Sequence, residues 1–158
     1  MVSIEAEYPL SRRRIALKID AHKIVVDTYA WIEYFGGTKV GERVKEFLAG
    51  SEYIYTPAIV LAEIARKYIR EGVGVQNTSR RLEIIKELST IVTIDHKIAL
   101  KSGEAYMELL EHAKKLKLKT KPSLGDAIVL ATAQSLNAKV ITGDQHFKEL
   151  EITIWIGE

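Results

Sequence analysis

Short runs of β-branched and apolar residues alternate with longer helical stretches along most of this 158-residue chain. The predicted strands lie near residues 24–27, 52–55, 90–94, 138–142 and 152–155. Helices are predicted near residues 29–35, 39–49, 57–70, 77–88, 97–117, 123–136 and 145–149. This alternation is typical of parallel βαβ units. We therefore predict an α/β fold of three layers, in which helices cover both faces of a central parallel sheet of about five strands.

Length and composition indicate one soluble globular domain. Apolar residues make up 47% of the chain and charged residues 28%, which is ordinary for such proteins. Cysteine is absent, so disulfides, thiolate metal sites and cysteine nucleophiles are excluded. No apolar run approaches the ~20 residues needed to span a bilayer, so we expect a cytoplasmic protein with no membrane partner. The net charge of +2 is too small to indicate nucleic-acid binding by itself, so any such surface must be local.

The segment before the first clear strand stands apart from the rest of the chain. We predict an N-terminal arm over residues 1–23 and a folded domain over residues 24–158. Within the arm, Ile15, Leu17 and Ile19 alternate with other residues as in a half-buried edge strand. A loosely attached or dispensable tail is the alternative. The arm also carries three consecutive arginines that are candidates for phosphate contacts, namely Arg12, Arg13 and Arg14.

Two helix starts carry recognisable capping signals. Thr56 is predicted to cap a helix whose first residue is Pro57, because proline suits the first helical position. Ser123 is predicted to cap a helix that begins at Leu124, since serine is among the preferred N-cap residues. Each of these two helices contains an acidic residue within an apolar sequence.

Four acidic residues in all stand in largely apolar surroundings. They are Asp27 in IVVD, Glu63 in PAIVLAEIARK, Asp126 in SLGDAIVLATA and Asp144 in VITGD. Asp27 and Asp144 end predicted strands, and the carboxyl ends of strands border the ligand crevice in open α/β sheets. Four carboxylates about 6 Å apart would repel one another by roughly 3 kcal/mol per pair at an effective dielectric constant of about 20. A fold that brings them together therefore needs a cation between them, or protonation of some.

Each acid also has a local explanation. Asp27 and Asp144 are suited to be N-caps of the helices that follow them. Asp126 lies three residues after a serine, a spacing that resembles a capping box. Glu63 lies about two turns inside its helix, where capping does not apply. Its alternative is an exposed i,i+4 pair with Lys67, worth about 0.2–0.5 kcal/mol.

The ligands that these acids offer are oxygen atoms. Such a set suits one or two Mg²⁺ or Mn²⁺ ions and disfavours zinc, which prefers histidine and cysteine. Mg²⁺ held by a few carboxylates keeps open positions for phosphate chemistry. The four histidines show no ligand spacing and are interpreted as structural, although the last of them is near the proposed site; they are His22, His96, His112 and His146.

Basic residues near these acids are candidates for contacts to substrate phosphates. Arg66 follows Glu63 by three positions on the same predicted helix and could face a phosphate. Five lysines crowd before the helix that carries Asp126, and a solvated helix end is the alternative interpretation. These lysines are Lys114, Lys115, Lys117, Lys119 and Lys121.

With these residues in order, the chain resembles the PIN-domain nucleases, and most closely the VapC-type toxins of bacterial and archaeal toxin–antitoxin pairs. The resemblance runs from about residue 24 to residue 154. It is carried by four motifs in chain order, VVDTYAWIEYF, PAIVLAEIARK, SLGDAIVLATAQ and VITGDQHFKEL. It implies a Rossmann-like PIN fold. It also implies that four acids bind metal and catalyse the reaction, namely Asp27, Glu63, Asp126 and Asp144.

The resemblance further implies hydrolysis of RNA with Mg²⁺ or Mn²⁺, a homodimer, and a small cognate antitoxin that covers the site. Hydroxyl side chains that the family often places near the metal correspond to Thr28, Ser123 and Thr142. Apolar residues that could form a dimer surface are Trp31, Tyr34 and Phe35.

Two alternatives within the same fold stay open. One is an RNA-processing nuclease without an antitoxin, and the other is a module that binds RNA or protein without catalysis. An aspartyl-phosphate phosphatase is disfavoured, because it needs a second aspartate two residues after Asp27, where this chain has Tyr29. No glycine-rich phosphate loop is present in the sequence, which gives no support for P-loop nucleotide hydrolysis.

Overall fold

A five-stranded parallel sheet lies at the centre of the computed structural model, which describes residues 23–158. Its strands are β1 (Lys23–Val26), β2 (Tyr53–Pro57), β3 (Thr90–Val92), β4 (Lys139–Thr142) and β5 (Thr153–Trp155). Their order across the sheet is β3-β2-β1-β4-β5, and every neighbouring pair is parallel. The predicted α/β class with a parallel sheet of five strands is confirmed.

Six α-helices accompany the sheet within residues 23–158. They are α1 (Thr28–Gly36), α2 (Lys39–Gly50), α3 (Ala58–Arg70), α4 (Val75–Leu88), α5 (His96–Lys115) and α6 (Leu124–Leu136). A short 3₁₀ turn covers Gln145–Phe147. Across this part of the chain, no helix has both the length and the apolar character needed to cross a membrane. The expectations for residues 1–22, including the edge strand and the contacts of Arg12, Arg13 and Arg14, lie outside the described residues.

The strand order reverses between β1 and β4, and this reversal positions the candidate site. From β1 the chain builds outward through β2 and β3, and later returns to add β4 and β5 on the other side of β1. Val26 pairs with Ile141, so β1 and β4 end side by side. The N–H of Asp27 donates to the Ile141 carbonyl at 3.3 Å. In open parallel sheets, ligands bind in the crevice that such a reversal opens at the carboxyl ends.

The middle of the sheet and helix α6 supply much of the core. Ile24, Val25 and Val26 in β1 are fully buried, as expected for a strand with neighbours on both sides and helices on both faces. In α6, residues 127–133 are all buried. A helix that is apolar on every side must be covered on every side, so α6 enters the core immediately after Asp126.

Thr56 does not cap α3, and that prediction is wrong. Strand β2 continues through Pro57, which occupies the N-cap position with extended backbone angles of φ −60° and ψ 139°. The Thr56 hydroxyl is buried instead. It accepts a hydrogen bond from the Trp31 indole N–H at 3.1 Å and lies 2.7 Å from the Ser89 hydroxyl. These contacts tie α1 and the end of α4 to β2.

The same contact corrects the expectation for Trp31. Its side chain is fully buried and belongs to the core, so it is not part of an exposed dimer surface. Tyr34 and Phe35 are half-buried and pack against that core. Their rings meet edge to face at 5.1 Å between centroids. The sequence pattern could not distinguish a core cluster from an interface, because both are rich in aromatic residues.

Candidate active site

Asp27 follows β1 directly and is almost completely buried, with 4% of its surface exposed. As the N-cap of α1, its Oδ1 accepts the Thr28 N–H at 2.8 Å. Its Oδ2 accepts the Thr142 hydroxyl at 2.7 Å. Burial raises the pKa of Asp27 to about 7, and the charges of Asp126 and Asp144 add to the rise, while both hydrogen bonds oppose it. Without a cation, Asp27 is therefore partly protonated at neutral pH.

Glu63 reaches the site from the middle of α3. Its Oε1 accepts the Thr28 hydroxyl at 2.7 Å. Its Oε2 lies against the first turn of α6, because a Cβ atom placed on Gly125 would be only 2.6 Å from it. The missing side chain at Gly125 thus gives the carboxylate room beside the start of α6. Helix N-termini favour negative charge, so this location stabilises the ionised form.

The alternative surface pair between Glu63 and Lys67 does not form. Lys67 pairs with Glu71 instead, one turn further along α3. Burial raises the pKa of Glu63, the Thr28 hydrogen bond and the Arg66 charge lower it, and the charges of Asp126 and Asp144 raise it. With its two oxygens against Thr28 and the first turn of α6, Glu63 belongs to the acidic cluster.

Alanine at Gly125 is expected to push the Glu63 carboxylate away from α6, since its Cβ would lie 2.6 Å from Oε2. Alanine is favoured over glycine in helices by about 1 kcal/mol, so the protein should fold at least as well. We expect the affinity for Mn²⁺ to fall about tenfold, the range seen when the support of a metal site is disturbed. Titration calorimetry measures it.

Gly103→Ala is the matched control for this variant. Gly103 lies within α5, and a Cβ placed there meets nothing within 4 Å. It should change helix stability in the same direction and leave Mn²⁺ binding unchanged. Equal Mn²⁺ affinity in the two alanine variants would show that the contact between Gly125 and Glu63 does not shape the site.

Asp126 is held in the first turn of α6 by the predicted capping box. Its N–H donates to the Ser123 hydroxyl at 3.0 Å, and its Oδ2 accepts the Ser123 N–H at 2.8 Å. The cap therefore fixes the carboxylate at the head of the buried helix. Burial raises the pKa of Asp126, and the charge of Asp144 raises it further. The Asp126 carboxylate is thus both a capping group of α6 and subject to repulsion from Asp144.

Asp144 follows β4 and caps the short turn after it. Its Oδ1 accepts the His146 N–H at 2.8 Å. Its own N–H donates to the Thr142 hydroxyl at 3.0 Å. Thr142 therefore joins Asp144 to Asp27, because the same hydroxyl that accepts from one donates to the other. The two strand-end aspartates are linked through a single buried threonine.

His146, which the sequence placed near the site but which we interpreted as structural, lies among these acids. Its Nδ1 is 3.0 Å from Asp144 Oδ1 and 3.9 Å from Asp126 Oδ2. Its Nε2 is 3.0 Å from the Thr120 carbonyl. Burial lowers the pKa of His146, but the Thr120 and Asp144 hydrogen bonds and the two carboxylate charges raise it, and the net shift is upward. The sequence feature that could have predicted this placement is that His146 follows the strand-end Asp144 by two residues.

The structure thus brings all four predicted acids together, and each of the three predicted hydroxyl residues hydrogen-bonds at least one of them. Local capping and a shared site are compatible, because a cap needs only one oxygen of a carboxylate. Asp126, Asp144 and His146 each offer one ligand atom, and these atoms lie within 4.8 Å of one another. This cluster could hold a metal ion. A divalent cation would offset the repulsion that raises the carboxyl pKa values.

One group of basic residues lies near the acids, and a second lies at or just after the end of α5. Thr120 is bound to His146, so the lysines on either side of it, Lys119 and Lys121, lie on a segment tied to the site. Arg66 is exposed and close enough to lower the pKa of Glu63. Lys114 and Lys115 belong to the last turn of α5, and Lys117 follows it with a left-handed φ of 56°. All five lysines are exposed.

Tyr29 forms part of the wall beside Asp144. A Cβ placed on Gly143 would collide with the Tyr29 ring, so the ring packs directly on the backbone between Thr142 and Asp144. Burial raises the pKa of Tyr29, and the charges of Glu33 and Glu158 add to the rise. The bulky side chain of Tyr29 is therefore accommodated by the glycine between Thr142 and Asp144.

The sequence pattern of the PIN domain family matches residues 24–152. A solved toxin–antitoxin complex from Klebsiella pneumoniae is 22% identical, with a TM-score of 0.62 over 85% of this chain and 98% of that chain. VapBC2 from Rickettsia felis, bound to a DNA fragment from its promoter, is 19% identical, with a TM-score of 0.60 over 84% of this chain and 96% of that chain.

The sarcin-ricin loop cleaving toxin VapC20 from Mycobacterium tuberculosis is 20% identical, with a TM-score of 0.56 over 78% of this chain and 92% of that chain. The curated proteins include no significant match. At these identities, the likeness to solved structures shows the shared fold. The family match covers most of the chain and agrees with that fold. The chain belongs to the PIN-domain family.

Proposed function

We propose that this protein is a metal-dependent endoribonuclease that hydrolyses RNA phosphodiester bonds, and that it is the toxin of a VapBC-type pair. One observation carries the proposal. Four carboxylates from four separate segments converge where the sheet order reverses, and burial and mutual repulsion raise the pKa values of three of them, Asp27, Glu63 and Asp126. Clustered buried charge of this kind is typical of functional sites. Structural stability alone does not account for it.

The four acids would hold one or two Mg²⁺ or Mn²⁺ ions. A bound ion of this kind polarises a phosphoryl oxygen and supplies a nucleophile from water at neutral pH. Asp27 is oriented by Thr142, and Glu63 by Thr28, through hydroxyl hydrogen bonds of 2.7 Å each. Asp126 is fixed by its capping box with Ser123. Such outer contacts hold ligands in place before the substrate arrives.

RNA would be held by the exposed basic residues around the site. Lys119 and Lys121 flank Thr120, which is hydrogen-bonded to His146, and we propose that both contact backbone phosphates. Arg66 lies on the Glu63 side and would contact another phosphate. Lys114, Lys115 and Lys117 would extend this surface away from the acids. Binding should weaken steeply with salt, since it rests on charge.

The toxin assignment rests on the relatives. The Klebsiella and Rickettsia structures are complexes of a toxin with its antitoxin, and the described part of this chain shares their fold. We therefore propose a cytoplasmic homodimer that a small antitoxin inhibits by covering the acids. An RNA-processing nuclease without an antitoxin is the alternative. A short reading frame beside the gene favours the toxin, and its absence favours the processing enzyme.

The direct test incubates the pure protein with transfer RNA and ribosomal RNA in Mn²⁺, with and without chelator. We expect cleavage in Mn²⁺, none in chelator, and none for Asp27→Asn. Asp95→Asn is the control, because Asp95 is also a helix N-cap whose carboxylate accepts a backbone N–H, that of Ile98 in α5, but it lies outside the acidic cluster. It should cleave as the unchanged protein does.

Other outcomes would identify the alternatives. RNA that is retained without metal and never cut would indicate a binding module of the same fold. Cleavage that survives chelator, or that persists in Asp27→Asn, would place the activity outside the four acids and contradict the proposal.

A further inference from the structure

The hydrogen bond from His146 to Thr120 fixes which ring nitrogen carries hydrogen. Nε2 lies 3.0 Å from the Thr120 carbonyl oxygen, and a carbonyl can only accept. Nε2 therefore carries a hydrogen. In the neutral ring, the lone pair then lies on Nδ1, on the side of the carboxylates.

The surroundings of Nδ1 call for a positive atom. The nearest groups are Asp144 Oδ1 at 3.0 Å and Asp126 Oδ2 at 3.9 Å. Ionised carboxylate oxygens also carry only lone pairs. Three acceptors directed at one small space repel one another unless a proton or a metal ion lies between them.

The spacing of these atoms matches that of ligands around one ion. Ligands bound at about 2.1 Å lie roughly 3–4 Å apart when they share an ion. The distances from Nδ1 to the two carboxylates fall in that range, and all three ligand atoms lie within 4.8 Å of one another. Metal-binding histidines also usually donate their other N–H to a backbone carbonyl or carboxylate. His146 does this through Thr120.

We infer that His146 Nδ1 is a nitrogen ligand of the metal site and makes it selective for a first-row transition ion such as Mn²⁺ over Mg²⁺. Imidazole nitrogen suits transition ions, whereas Mg²⁺ is held by oxygen ligands and water. The inference rests on the proposed metal-dependent function and specifies which ion that function uses. It also gives the segment around Thr120 a role, because its carbonyl orients the ligand.

The test is pulsed electron paramagnetic resonance of Mn²⁺ bound to the full-length protein, which detects a directly bound nitrogen as spin-echo modulation. We expect nitrogen modulation in the unchanged protein and none in His146→Gln. His112→Gln is the matched control, because His112 Nε2 also bonds a backbone carbonyl, that of Lys148. It should keep the modulation. In calorimetry, His146→Gln should weaken Mn²⁺ binding by about 10–100-fold and Mg²⁺ binding by less than about threefold.

A second measurement needs no variant, so it tests the inference even if His146→Gln fails to fold. Labelling histidine with ¹⁵N in the unchanged protein should shift the modulation to the ¹⁵N frequency. Bound Mn²⁺ without nitrogen modulation would overturn the inference and indicate that a proton lies between His146 and Asp144. So would equal losses of Mn²⁺ and Mg²⁺ affinity in the variant. Nitrogen modulation without RNA cleavage would instead contradict the proposed function and leave the ligand assignment intact.

Discussion

Asp126→Asn is expected to abolish RNA cleavage and leave the protein folded and at least as stable. Loss of a metal ligand should lower the cleavage rate by at least about 100-fold, more than the loss of an outer contact. The free energy of unfolding should stay equal or rise, because the substitution removes a buried charge that Asp144 repels. Asparagine keeps an oxygen that can accept the Ser123 N–H, so the cap of α6 survives.

Two measurements on the same sample check this prediction, namely a cleavage time course in Mn²⁺ and urea unfolding in chelator. Asp95→Asn provides the control, since it exchanges the same groups at the cap of α5 and should change neither result. Full cleavage by a folded Asp126→Asn protein would remove Asp126 from the active site. A large loss of stability would show that its charge is structural.

The metal-free protein is expected to lose stability as the pH rises from about 4 to about 7. Burial raises the pKa of Asp27 from 3.8 to about 7 in the folded state. Across this range the folded chain holds a proton that the unfolded chain has released, so stability falls with pH. The difference corresponds to about 4 kcal/mol. The pKa values of Glu63, Asp126 and His146 are also raised, and each acts in the same direction.

Urea unfolding in chelator at several pH values measures this slope. Asp27→Asn should remove most of it, because asparagine does not ionise and can still contact both Thr28 and Thr142. Mn²⁺ should restore stability at pH 7.5, where the cation replaces the lost protons. Stability that rises with pH in the metal-free protein, or a slope that is unchanged in Asp27→Asn, would show that folding does not raise the pKa of Asp27.

Much of the fold followed from periodicity. The strand at β1 was predicted to within one residue, because its run of buried β-branched residues has few other uses. Ser123 and Asp126 were predicted as a capping box, and both of its hydrogen bonds are present. The resemblance to PIN domains is confirmed by the family match. The roles of the four acids stay a prediction, although the structure brings them together.

The predictions that were wrong or incomplete share a physical cause. Contacts between residues distant in the chain determined the partners of these side chains, and local sequence does not show such contacts. Thr56 has the sequence of a cap, yet its hydroxyl bonds Trp31 and Ser89, which are distant in the chain. By spacing, Lys67 could reach Glu63 or Glu71, and it pairs with Glu71 while Glu63 accepts the Thr28 hydroxyl. His146 joined the site because a short 3₁₀ turn brings its ring back over Asp144.

In the proposed function, one metal ion site both relieves the repulsion among the four acids and cleaves RNA. The most direct measurement compares the Mn²⁺ concentration for half-maximal RNA cleavage with the Mn²⁺ dissociation constant from calorimetry, in the unchanged protein and in Asp126→Asn. We expect the two values to agree in the unchanged protein, and both binding and cleavage to be lost in the variant. Cleavage that saturates without regard to Mn²⁺ binding, or that persists when Asp126→Asn no longer binds the ion, would contradict the account.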